Sequence, residues 1–249
     1  ILIVYMAASQ ARLAENEHDK LLPSFSQMGE AMQRMAVEPS KRSGRMTFWE
    51  DTASSLKRLG LGVLIAATVG LLLGMFTGAF PLVGAVTSPV LTVVSLIPPL
   101  ALLPILFIVF GLGEMSKVAL IAIGITPFIA RDMLLRTREI PAEQLVKAQT
   151  LGANSAQIVS RVILPQLLPR LNESVRLSLG AAWLFLISAE AIASTDGLGY
   201  RIFLVRRYLS MDVILPYVAW ITLLAFAIDY LLRQANRRLF PWYTAGGAP

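Results

Sequence analysis

Long unbroken apolar blocks, rather than apolar positions spaced at helix or strand period, organise this sequence. Five stand out: Leu59 to Phe80, Pro89 to Leu112, Val118 to Ala130, Leu177 to Ala193 and Val213 to Ile228. Crossing the hydrocarbon of a bilayer takes roughly 20 helical residues. Inside lipid every backbone N–H and C=O must be satisfied within the protein, which rules out isolated strands. The blocks are therefore predicted to be transmembrane helices. The third is short and ends on Arg131-Asp132, and it crosses with the help of a few flanking residues. The opening "ILIVYMAAS" is too short to span. It reads as the tail of a first spanning helix that begins upstream, which brings the predicted count to six. A cleaved signal peptide fits less well, because no small-residue cleavage pattern follows a proper apolar core.

Two polar stretches interrupt this pattern. In the first, residues 10 to 58, Phe25, Met28, Met32 and Met35 recur at helical spacing, predicting an amphipathic helix on the membrane surface or against the bundle. "EPSKRSGR", 38 to 45, reads as a loop. The second is "PAEQLVKAQTLGANSAQIVSRVILPQLLPR", 141 to 170, too polar to enter lipid. Pro141 suits a first helical turn, and Glu143 is favourable near the positive end of the helix dipole. Gly152 is placed to close that helix as a left-handed cap. Asn154 or Ser155 then caps a second helix, whose Ile158, Val159, Val162 and Ile163 form one apolar stripe. Pro165 and Pro169 are expected to turn the chain toward the next span. Two short helices joined at a glycine make a projecting elbow.

Composition agrees: 55% of residues are hydrophobic and only 15% charged, far from a soluble domain's balance. With no cysteine and one histidine, His18 in a polar stretch, disulfide frameworks, thiolate or histidine metal clusters and histidine triads are excluded. The formal charge of +6 suits basic membrane loops and calls for no nucleic-acid partner. Lysines and arginines are plentiful on both predicted faces, so charge alone leaves the orientation undecided. No G-x-x-x-x-G-K-[ST] loop is present, so this chain has no such cradle for nucleotide phosphates.

The polar elbow resembles the EAA loop of ABC importer permeases, in which Glu-Ala-Ala is followed by three residues, Gly, nine residues and Ile-x-Leu-Pro. Ala148, Gly152, Leu164 and Pro165 match, Val162 stands for Ile, and Val146 and Lys147 replace the Glu and first Ala. "IPPLALLPILFIVFGLGEMSK" (97 to 117), "LGANSAQIVSRVILP" (151 to 165), "SAEAIASTDGLGY" (188 to 200) and "RRLFPW" (237 to 242) are similar to one branch, the nitrate, sulfonate, taurine and bicarbonate permeases. The resemblance implies an all-α polytopic membrane protein of six spans with both ends in the cytoplasm, in a bacterial inner membrane. Residues 1–58 would hold the end of the first span and a periplasmic amphipathic segment, 59–242 the transmembrane domain with its coupling elbow at 139–165, and 243–249 a tail. A cytoplasmic elbow would dock on a separate ATPase subunit, with Glu143, Gln144, Lys147, Ala148, Thr150, Leu151, Gly152 and Ala153 as the contact set. ATP and magnesium would be bound by that partner, so this chain would carry no cofactor and no catalysis of its own. A periplasmic or lipid-anchored solute-binding protein and a second copy of the chain complete the implied assembly.

Candidate pathway residues are fewer. Ionisable groups within spans are costly and therefore functional suspects, which singles out Glu190, at a gate, on the pathway, paired with an arginine such as Arg201, or capping a helix. The proline-rich run beginning at Pro98 can line a cavity with broken helix, and Thr126 beside Pro127 is a further candidate. Permeases that this sequence resembles often carry an arginine just ahead of the "IPPL" run. Ser95 stands there, which leaves room for a neutral or cationic solute beside an anion such as nitrate, a sulfonate, taurine or bicarbonate. Asp229 is expected to pair with Arg233 one turn on. Arg201, Arg206 and Arg207 are expected on a surface helix or against an acidic binding protein. Two other classes compete. A secondary transporter or channel working without ATP often shows inverted repeats, and none is visible. A membrane enzyme would need more than the single carboxylate of Glu190.

Overall fold

The computed structural model describes residues 2–15, 21–39, 44 and 46–245, and among these there are helices and turns but no strand. In chain order they are α1 (Leu2–Glu15), α2 (Phe25–Val37), α3 (Thr47–Ala79), α4 (Pro81–Val94), a 3-10 turn (Pro99–Leu102), α5 (Leu103–Phe110), α6 (Glu114–Arg138), α7 (Ala142–Thr150), α8 (Ser155–Ala193), α9 (Leu198–Arg206), α10 (Met211–Leu239) and α11 (Pro241–Ala245). Four of them, α3, α6, α8 and α10, are long and apolar enough to cross a bilayer. The α4–α5 pair qualifies as a fifth span, broken and bent by 82°. At 14 residues α1 falls short of a span by itself. Most of the expected loop at 38 to 45 lies outside the described residues.

The single span expected at Pro89 to Leu112 is thus two helices. The cause is local. Pro98 and Pro99 lack N–H groups and push the residues before them toward extended backbone, and Pro98 has ψ 116°. The Ser95 hydroxyl closes the end of α4 by donating to Leu91 O at 2.6 Å. Pro104 is tolerated in the first turn of α5. Likewise, Pro165 and Pro169 do not turn the chain, as expected from sequence, but lie inside the continuous α8. A widened turn at Val159–Ile163, where Leu164 N–H donates to Val159 O five residues back, makes room for the Pro165 ring.

The chain divides into two compact units, Ile1–Arg58 with Leu186–Ala225, and Leu59–Phe185 with Phe226–Pro249. In the first, Ser24 and Gln27 form a capping box at the start of α2. Ala31 is the buried centre of α2's apolar face, flanked by half-buried Met28, Met32 and Met35, while Phe25 stays 52% exposed. The rings of Phe48, Trp49, Tyr217 and Trp220 pack edge-on or tilted, and Trp220 donates to Thr52.

In the second unit, α3 lies against α6 with the two running the same way. Gly62 faces Ile121, Gly70 faces Ile129, Gly74 faces Ala130 and Met133, and Gly78 faces Thr137. Small residues four apart let two helix backbones approach closely, the usual device where lipid supplies no hydrophobic drive. Polar ties join α8 to the end of the chain. Arg176 grips Asp229 at 2.8 Å, closer than the expected Arg233 at 3.2 Å, and Asn172 donates to Leu232 O at 2.7 Å. Tyr243 donates to Glu173 at 2.9 Å; burial and that carboxylate hold its phenol above the ordinary pKa.

Candidate functional site

The elbow between α6 and α8 is built from backbone bonds that its residue types dictate. After α7 ends, Gly152 adopts φ +84°, a conformation that costs glycine little and other residues much. Its N–H donates to Gln149 O at 2.9 Å and the next N–H, of Ala153, donates to Ala148 O at 3.0 Å. This pair of bonds is the Schellman motif. At the next residue a capping box begins: Asn154 Oδ1 accepts from Gln157 N and Gln157 Oε1 accepts from Asn154 N, each at 2.9 Å. Two caps back to back leave no loose residue at the corner. Ile158 and Ile163 are buried as the stripe predicted, with Val159 and Val162 half-buried beside them.

Most of the predicted contact set is on the outside of this corner. Glu143, Lys147, Thr150 and Gly152 are exposed, Leu151 is 88% exposed and its neighbour Val146 54%. Ala148 and Ala153 are half-buried and pack the corner itself. Gln144 is exposed yet spoken for, since its Oε1 accepts from Gln166 of α8 at 2.9 Å, bracing α7 against the long helix. Beneath the elbow lies a cavity of about 360 Å³, walled by the end of α3 at Gly78, by Thr137 and Arg138, and by Leu145 and Ile158.

A larger cavity, about 660 Å³, opens at the break between α4 and α5. Of the predicted pathway residues only Ser95 lines it. Pro99 and Pro127 do so in place of their neighbours Pro98 and Thr126. The Thr126 hydroxyl is bound to its own helix at Ala122 O, 2.6 Å. Opposite stand Gly124, Phe128, Arg131 and Asp132 of α6, with Phe185 of α8 at the back. Arg131 and Asp132 read in sequence as the end of a span. In fact α6 runs on to Arg138, so both lie two turns inside the helix. A charge directly after an apolar run is ordinary for a span end, so the sequence gives no signal that the helix carries them further.

Glu190 is not free to meet a solute. It is fully buried, and its oxygens accept from Arg58 at 2.8 Å, from Ser55 at 2.8 and 3.0 Å and from Gly199 N at 2.9 Å. Its arginine is Arg58, 1% exposed, rather than Arg201. Arg58 also holds Asp196 through side chain and backbone oxygens. Arg201 instead binds Asp51 at 2.7 Å, so it is not a solvated arginine open to a partner protein. Burial opposes its charge, but the Asp51 carboxylate outweighs that and holds its pKa above the ordinary value. Arg58 closes the polar stretch at 10 to 58, and nothing local in the sequence marks it as a buried ion.

Comparison with known proteins places this architecture. Residues 68–243 match the family model described as binding-protein-dependent transport system inner membrane component. The chain is similar to the taurine transport system permease protein TauC of Escherichia coli (strain K12), 37% identical over 197 residues, 79% of this chain and 72% of that protein. It is similar to the putative aliphatic sulfonates transport permease protein SsuC of Bacillus subtilis (strain 168), 31% identical over 76% of this chain and 68% of that protein. In fold it is similar to a chain of the MetNI methionine ABC transporter in an inward-facing conformation. The TM-score is 0.61 at 24% identity, over 77% of this chain and 94% of that one. These relatives support an ABC importer permease and give no support to a transporter that works without ATP. The chain belongs to the binding-protein-dependent transport system inner membrane component family, the membrane-spanning permeases of ABC importers.

Proposed function

We propose that this permease works as one of two copies in a bacterial cytoplasmic membrane, driven by a separate ATPase that grips the elbow at 139–165. The chain itself is non-catalytic, with ATP and magnesium held by that partner. A periplasmic or lipid-anchored binding protein delivers a small polar solute, of the kind that taurine and sulfonate relatives are named for, to a path that includes the cavity at Ser95. The observation that carries this reading is the elbow: a doubly capped, rigid corner whose tip presents Leu151 at 88% exposure. A rigid corner transmits a push as a rigid body. A leucine this exposed, on a segment too polar to enter lipid, gains stability when a partner covers it.

Burying a leucine is worth roughly 1.5–3 kcal/mol, or about tenfold to a hundredfold in affinity. Leu151→Glu is therefore expected to weaken binding of the ATPase subunit by about that factor while leaving the permease folded and inserted. Co-purification at graded detergent dilution checks this, and full retention of the ATPase would count against the elbow as its grip. Gly152→Pro goes further, since proline holds φ near −65° where the corner needs +84°. ATP-driven uptake should vanish while membrane insertion persists. Unaltered uptake would refute the lever.

A further inference from the structure

Among the described residues, one charge at the cavity by the break of the α4–α5 pair has no ion-pair partner. Among the described residues, the side chain of Arg131 makes a single hydrogen bond, a long one of 3.4 Å from Nη1 to Ser95 Oγ. The neighbouring carboxylate is different. Asp132 is engaged by Arg136 of its own helix at 3.4 Å. A guanidinium carries five N–H donors in a flat fork, so nearly all of its donors remain available. The remaining wall is apolar, with Ile97, Phe128 and Phe185 prominent. Ser95 sits near the middle of the 81–110 apolar stretch, and Arg131 lies two turns in from the end of α6 at Arg138.

We propose that Arg131 is the anion-recognising residue of this cavity, resting on the reading of the cavity as part of the translocation path. Its fork receives two oxygens of a small oxyanion, the geometry guanidinium suits best. The Ser95 hydroxyl, which donates to Leu91 O and Thr92 O of its own helix, accepts from the guanidinium and holds it over the cavity. The apolar wall takes a short carbon chain where the solute has one. The position at 95 suggested room for a neutral or cationic solute because it holds serine. The structure brings the cationic group to that same spot from a helix 36 residues further along. The solute is thus anionic, or zwitterionic with its anionic end at Arg131.

The sequence holds no cysteine, so a charge-replacement experiment needs only cysteine-free versions of the ATPase and binding protein. The whole complex, with its ATPase and binding protein, is reconstituted in vesicles carrying Arg131→Gln, Arg131→Lys or Arg131→Cys. Uptake of taurine, ethanesulfonate and nitrate is followed together with ATP hydrolysis. Arg131→Gln and Arg131→Cys are expected to lower uptake about tenfold or more, the loss typical of a charge-assisted hydrogen bond, with ATP hydrolysis retained. Arg131→Lys should keep much of the rate. Treating Arg131→Cys with 2-aminoethyl methanethiosulfonate, which restores a positive charge, should recover uptake, whereas the 2-sulfonatoethyl reagent should not, with Arg131→Gln as the unreactive control. Uptake by Arg131→Gln close to that of the unaltered complex would overturn the proposal, as would equal recovery with both reagents. So would a loss that follows the anionic phospholipid content of the vesicles, since the guanidinium would then be holding a lipid headgroup. ATP hydrolysis by the unaltered complex with no uptake of any of the three anions would overturn it while leaving the coupling reading intact. Absence of both ATP hydrolysis and uptake would overturn the coupling reading and this proposal with it.

Discussion

Gly74→Leu is expected to abolish the close contact between α3 and α6 and to give little or no folded protein. A Cβ at Gly74 would sit 2.5 Å from Met133 Cβ and 2.8 Å from Leu134 N, and closer still to the Ala130 carbonyl oxygen. Two of those three atoms are backbone of the facing helix, which cannot rotate away as a side chain would. Overpacking usually costs about 1–3 kcal/mol, and a clash with backbone belongs at or beyond the upper end. The rest of the row reinforces this, because Gly62, Gly70 and Gly78 meet the same helix within similar distances. Gly60 and Gly180 serve as controls. Both are exposed, with nothing within 4 Å of a built Cβ, so leucine there should leave stability nearly unchanged. Thermal unfolding of the purified proteins in detergent checks all three. A Gly74→Leu protein that melts with the wild type would mean that the helices do not approach as described.

Arg58→Met is expected to be the next most damaging change. It removes the partner from a carboxylate, Glu190, that is fully buried, and from Asp196 as well. Breaking a buried pair from one side costs roughly 3–5 kcal/mol, because the remaining charge is stranded. Glu190→Gln should cost less. An amide oxygen in the place of Oε2 can still accept from Ser55 and from Gly199 N, and although its NH2 then stands against Arg58 Nη1, Arg58 keeps Asp196 as its counter-ion. The informative result is the double change. Arg58→Met with Glu190→Gln strands no carboxylate at Glu190 and should recover part of what Arg58→Met loses. Melting temperatures of the three proteins test this order. If the double variant is no more stable than Arg58→Met alone, the loss comes from packing rather than stranded charge.

The cluster also shows why some residues resist reading from sequence. Asp51, Ser55, Arg58, Glu190, Asp196 and Arg201 come from two segments more than 130 residues apart. Apart from Glu190, each in its own stretch looks like an ordinary polar residue. Glu190 stood out because a carboxylate among apolar neighbours is expensive, but only its partners show that the expense is met by an ion pair and not by a solute. Arg131 followed the opposite course. It looked like the end of a span, yet the helix carries it to the Ser95 hydroxyl and leaves it facing open space.

What could be read without coordinates was whatever rests on local chemistry or on the solvent. Apolar blocks in lipid have to be helical, since no water is there to satisfy the backbone. A glycine at Gly152 followed by an asparagine at Asn154 ends one helix and starts another, by bonds confined to a few neighbouring residues. The broken α4–α5 pair was only half visible, because prolines announce a disturbance without saying whether it becomes a kink or a bend of 82°. The continuity of α8 through Pro165 was hidden for a related reason: a widened turn upstream absorbs the ring. The α3–α6 contact, the pairing of Arg58 with Glu190 and the exposure of Arg131 in a cavity were decided by tertiary structure alone. Each depends on which distant surface arrives opposite, and a one-dimensional pattern of polarity carries no record of that.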